Sequence, residues 1–205
     1  GDAFTFFEQV TAIAFSYFAT CKVDLSIIEV GLGGRLDATN VVDHPHLTIL
    51  TPVSIDHQQY LGETLGEIAG EKAGILKRGV PCVVGPQEEA ALAVIEAKAA
   101  RLGAPLLVRG QHWHAWEERG RLIFQDENGL LDLPLPNLPG PHQIDNAGGL
   151  VPLKSGRFAS PSLSTTRAIK KSDLMTSSSL WMAPMLSVST PDSAASVLTT
   201  LNVRV

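Results

Sequence analysis

A chain of 205 residues, 44% hydrophobic and 18% charged, is long enough to bury one good core and a second small one. Its formal charge of -5 comes from 16 basic and 21 acidic side chains, with no basic stripe to hold a phosphate backbone, which excludes nucleic acid as an expected partner. Cys21 and Cys82 stand far apart without a CxxC or Cys/His spacing, and no apolar run approaches the ~20 residues that span a bilayer, so a soluble cytoplasmic protein with no membrane contact is expected.

From Thr5 to about Ala19, apolar residues fall at helical spacing (Phe6, Val10, Ile13, Ala14, Phe18) and Thr5 with Glu8 forms a capping box, which predicts a core-facing helix. DLSIIEV and LTILTPV are short β-branched runs of the kind found in strands buried on both faces. GETLGEIAGEKAGIL reads as a helix, PCVVG as a strand, and QEEAALAVIEAKAARLG as an amphipathic helix closed by Gly103. Strand and helix alternate, so the fold class expected is α/β, a mostly parallel sheet flanked by helices with right-handed crossovers.

After APLLV the segment WHAWEERGRLIFQDENGLLDLPLP carries RG and NG turn signals and predicts a small antiparallel hairpin or meander. LPGPHQIDNAGG then reads as a proline-rich loop entering a helix. Beyond it the texture breaks: 18 of residues 151–205 are Ser or Thr, without sustained periodicity. A first domain over 1–148 and a disordered or frame-shifted tail over 149–205 are expected.

Residues 28 to 40, IEVGLGGRLDATN, place a carboxylate at a strand end ahead of three glycines. They are not a dinucleotide cradle, because the third fingerprint position is Leu36 and no helix follows, and they lack the lysine of a P-loop. What remains is Glu29 at the carboxyl end of a parallel strand, where open α/β sheets place ligands, with glycines that allow close backbone approach. SIDHQQYLG puts Asp56 and His57 past the next carboxyl end, and GEKAGILK puts Lys72 in a helix between Gly70 and Ala73. Taken singly, such a His is most often a surface residue and such a Lys a solvated one. Together the three suit a Mg²⁺ site if the lysine is carbamylated, since Mg²⁺ prefers oxygen donors and an ammonium has none to give. His44 with His46 and His112 with His114 have period-2 spacing but no third ligand, and Trp113 and Trp116 are expected to pack the hairpin.

EVGLGGRLDATN, TPVSIDHQQYLGETLGEIAGEKAGILKRGVP and GPHQIDNAG together resemble the central ATPase domain of folylpolyglutamate synthase and dihydrofolate synthase, in the Mur ligase superfamily, collinearly from about Phe4 to Gly148. The resemblance implies a P-loop NTPase-like domain of an enzyme that uses ATP and Mg²⁺ to add L-glutamate to dihydropteroate or folate through an acyl phosphate, working as a monomer on small molecules. It implies Glu29, His57 and carbamylated Lys72 as metal ligands, with Lys72 and His57 as the catalytic pair. Gln143 and Asn146 would contact the nucleotide, and Arg35 and Asp37 the folate side. The family's phosphate loop and C-terminal domain are not recognisable here, and the chain opens on Gly rather than Met. A piece of a longer protein, or a frame-shifted product, inactive alone, is expected. A non-catalytic folate- or partner-binding remnant and a Mur ligase with another acceptor are the alternatives.

Overall fold

The structure is a computed structural model that describes residues 4–23, 26–154 and 200–204. The first helix, α1 (Phe6–Cys21), begins at the expected capping box: Thr5 Oγ1 accepts from Glu8 N and the Glu8 carboxylate accepts from Thr5 N at 2.7 Å. Its inward face differs from the expected one. Ala14 and Thr11 are buried, whereas Phe6 and Ile13 are 79% and 59% exposed. A helix apolar on most sides gives its periodicity no single face to select.

Four strands run parallel: β1 (Ser26–Glu29), β2 (Leu47–Leu50), β3 (Cys82–Val84) and β4 (Leu106–Val108). β2 and β3 are buried throughout. β1 is not covered on both faces, Ile27 being 39% exposed. After β2 come a short helix, α2 (Gln58–Leu61), and α3 (Leu65–Lys72), which carries a second capping box between Thr64 and Glu67. The helix α4 (Glu89–Leu102) ends on Gly103 in the left-handed region, as its sequence predicts. α3 and α4 pack against each other through Ile68, Ala69, Ala91 and Val94.

The expected hairpin is a three-stranded antiparallel meander, β5 (Trp113–Glu118), β6 (Arg121–Asp126) and β7 (Gly129–Pro134). Trp113 fills the space between it and the main sheet, stacked on Phe124 with ring centroids 6.0 Å apart and donating from Nε1 to Leu107 O at 3.0 Å. Helix α5 (His142–Lys154) closes this second core. It runs into the region expected to be tail. A further strand, β8 (Thr200–Arg204), lies antiparallel between β1 and β2, giving the order β1-β8-β2-β3-β4. Of the tail expected over 149–205, the structure describes 149–154, in α5, and 200–204, in β8; the rest lies outside the described residues.

Both thiols are free, Cys21 exposed and Cys82 buried in β3. Burial pushes the Cys82 thiol up to about 12, against weaker pulls from Thr48 and the Leu50 backbone, and only a thiolate is a good nucleophile. A maleimide at neutral pH is expected to add once to the native chain and twice after denaturation, read by intact mass; two native adducts would mean that β3 opens.

Candidate functional site

Because β1 to β4 are parallel, their carboxyl ends share one edge of the sheet; Glu29, Arg35, Asp37 and His57 follow two of those ends, Gln143 and Asn146 lie at the start of α5, and Lys72 is the last residue of α3. Glu29 closes β1 and is followed directly by the glycine loop. That loop is clamped to the end of α3. Arg35 N donates to Glu71 O at 3.0 Å, and a Cβ on Gly34 would stand 3.0 Å from both Glu71 O and Lys72 O. Asn40 Nδ2 donates to Arg35 O at 3.1 Å and Gly74 O at 3.2 Å, while its own carbonyl accepts from Lys77 Nζ at 3.0 Å. The glycines therefore exist to bring β1's exit loop against the helix that carries Lys72.

Lys72 is 8% exposed. Burial pulls its amine below the usual lysine range, and the Asp56 carboxylate pulls it partly back. Asp56, which the sequence pattern placed beside His57 without a role, is thus electrostatically coupled to the buried lysine. His57 itself is exposed and sits in the left-handed region (φ 50) as the N-cap of α2. Its backbone N–H donates to Asp56 Oδ1 at 2.7 Å. A non-glycine residue held there is uncommon and accumulates where geometry matters more than local comfort. Among the described residues no three His, Cys, Asp or Glu side chains form a group able to hold a metal.

Arg35 and Asp37 part company. Arg35 forms a forked ion pair with Glu71, Nη2 to Oε1 at 2.9 Å and Nε to Oε1 at 3.0 Å. Both Asp37 oxygens organise the loop: Oδ2 accepts from Gly31 N and Leu32 N, Oδ1 from Thr39 N and Thr39 Oγ1. Asp37 and Glu71 line an open cleft of about 280 Å³ with Phe7, Leu32, Tyr60 and Leu61. Glu71 had no signal beyond being next to Lys72.

A second, much smaller cleft, with free space of about 20 Å³, lies at the ends of β2 and β3, between Thr51, Pro52, Gly85 and Pro86 on one side and Asp145 and Asn146 on the other. Its floor is fixed by Gln87, which accepts from Val53 N at 3.0 Å and donates to Thr51 O at 2.9 Å. Gln143 is buried, and its Oε1 accepts from Asn146 Nδ2 at 3.2 Å. The remaining histidines are structural or peripheral: His112 Nδ1 accepts from Val108 N at 3.1 Å.

No family model matches the chain. A dihydrofolate synthase/folylpolyglutamate synthase of Bacillus subtilis is 54% identical over 149 residues, 70% of this chain and 34% of that protein. Among solved structures, the apo form of Lacticaseibacillus casei folylpolyglutamate synthase is 35% identical with a TM-score of 0.68, covering 78% of this chain and 40% of that one. A folylpolyglutamate synthase complex with AMPPCP and folate matches equally well, 36% identical at a TM-score of 0.68. The chain spans about a third of the length of the curated relatives it matches. With the collinear motifs and the shared fold, the chain belongs to the folylpolyglutamate synthase and dihydrofolate synthase family.

Proposed function

We propose that this chain carries the nucleotide and acceptor clefts of an ATP-dependent ligase that joins L-glutamate to dihydropteroate or folate. The observation that carries the reading is the desolvated Lys72 amine at the end of α3, the turn that is clamped to the glycine loop, with the Asp56 carboxylate acting on it. A buried amine held below its usual range is more often neutral, and only a neutral amine adds carbon dioxide to become a carbamate. The donor set then fits Mg²⁺: a carboxylate from Glu29, the His57 imidazole and the Lys72 carbamate. When bound, Mg²⁺ would neutralise charge on the phosphoryl oxygens.

The chain's own residues position the reactants. Asn146, steadied by Gln143 beside the ends of β2 and β3, would contact the base of ATP along that rim. The cleft lined by Phe7, Tyr60 and Leu61 suits a fused aromatic ring of the folate class. Arg35 acts by holding Glu71, and Asp37 by shaping the loop. The acceptor carboxylate forms a bond to the γ-phosphorus as the bond to ADP breaks. The glutamate amine then attacks the acyl carbon, phosphate leaves, and the amine gives up a proton. Two free thiols fit a cytoplasmic setting, and a monomer suffices because both clefts are built from one chain. Among the described residues, no helix is long and apolar enough to cross a membrane.

The test is a chimera. Residues 4–148 replace the corresponding segment of the B. subtilis enzyme, and ATP-dependent glutamate addition is assayed with dihydropteroate and with folate. Activity on either acceptor is expected. A folded chimera that binds folate but leaves ATP intact would instead make this segment a non-catalytic folate-binding remnant, and one active only on a different acceptor would place it with another Mur ligase.

A further inference from the structure

We propose that Arg109 is a positioning residue for the nucleoside cleft, holding the first turn of α5 in the rotation that turns Asn146 toward the ends of β2 and β3. The inference rests on the nucleotide reading of that cleft and adds the residue that assembles it. Arg109 is the first residue after β4, and three walls meet on it. Its backbone N–H donates to Val84 O at 2.9 Å, immediately before Gly85 of the cleft floor. Its backbone also bridges to Trp113 at the start of β5.

The guanidinium leaves the sheet in two directions. Nη2 donates to Ala115 O at 3.3 Å, and Nε donates to Asp145 Oδ1 in an ion pair. Asp145 is itself a cleft residue and the chain neighbour of Asn146. Both partners are mostly shielded, with side chains 32% and 24% exposed, so this pair is less screened than Arg121 with Asp132 at 48% and 57%. A planar fork that contacts a carboxylate and a carbonyl together sets direction as well as distance, which a lysine ammonium does not.

Ile144, Ala147 and Val151 seat α5 on the second core, and the Arg109–Asp145 pair ties its first turn to the end of β4. Gly148 and Gly149 face Trp113, where a Cβ on Gly148 would lie 2.9 Å from the ring, and let the helix come close. Carboxylates also favour the first turn of a helix, so Asp145 keeps a stabilising role when Arg109 is lost. The expected defect is accordingly one of aim, not of helix content.

The experiment uses the full 205-residue chain and adenosine as the probe, with guanosine as its comparison, followed by chemical-shift titration. The variants are Arg109→Ala, Arg109→Lys and Asn146→Ala, each with its thermal midpoint. Wild type is expected to prefer adenosine, and Asn146→Ala to lose that preference. Arg109→Ala should weaken adenosine binding about tenfold, the worth of one well-placed hydrogen bond, and bring the two nucleosides together. Arg109→Lys, which keeps the charge and loses the fork, should fall between. If Arg109→Ala does not fold, Arg109→Lys decides: an intact preference overturns the proposal. An Arg109→Ala chain that melts earlier yet keeps full discrimination also overturns it, because Arg109 is then a structural residue only. A wild-type chain without any adenosine preference sinks the nucleotide reading, and this proposal with it. Discrimination lost in Asn146→Ala but retained in both Arg109 variants sinks this proposal alone.

Discussion

Replacing Gly74 with alanine is expected to destabilise the chain by about 3 kcal/mol, near the upper end for forcing atoms into a packed site. A Cβ at Gly74 would stand 2.6 Å from Arg35 N, and the obstacle is backbone rather than a side chain that could swing away. Arg35 N is already tied to Glu71 O, and Asn40 bridges Arg35 O to Gly74 O, so relief for the new methyl means breaking the clamp between β1's exit loop and the end of α3. At this chain length the loss corresponds to a fall of roughly 10 °C in midpoint. Gly66→Ala, inside α3 and one turn of chain upstream of the clamp, is the control: its nearest neighbour would be Val94 Cγ2 at 3.7 Å, and alanine gains roughly 1 kcal/mol of helix propensity. Thermal melts that rank Gly74→Ala level with Gly66→Ala would show that the loop is not clamped at all.

That clamp marks how far the sequence could be read. IEVGLGGRLDATN announces a close backbone approach, since no other residue tolerates one so well, but the partner across the gap, Glu71 to Gly74, is a tertiary fact with no local signature. The capping box at Thr5 and the left-handed Gly103 are legible because their chemistry is complete within four residues. The inward face of α1 was not, for the opposite reason: apolar residues nearly ring that helix, and only contact with the η-turn at Ala38–Val41 selects among them. β8 does carry a local signal, Leu201 and Val203 alternating with Asn202 and Arg204 in the strand period, but the Ser- and Thr-rich run ahead of it hides so short a strand. At the candidate site, Glu29, His57 and Lys72 could be proposed as a set from the order of strands and helices. Asp56 and Glu71 could not be given roles until the buried amine and the Arg35 fork were seen beside them.

Lys72→Met separates the proposed chemistry from the fold more cleanly than any other change. The side chain is 8% exposed at the end of α3, and its length and unbranched stem are nearly matched by methionine, so packing is kept. What is removed is a desolvated amine whose charged form the site disfavours. Replacing a poorly compensated buried ion by an apolar group is often neutral or stabilising, here by roughly 1 kcal/mol. Asp56 keeps its own hydrogen bond from His57 N and reaches solvent, so it is not stranded. Function is expected to move the other way. In the B. subtilis chimera, Lys72→Met should cost about 10³-fold in ligase rate, the scale of losing a group that organises charge stabilisation in a transition state. In the chain alone, ¹³C-bicarbonate should give a carbamate carbonyl resonance that the variant lacks. Equal stability with both signals lost is the result the proposal requires. A variant that melts far below wild type would make Lys72 a structural residue, and a fully active one would remove it from the metal site altogether.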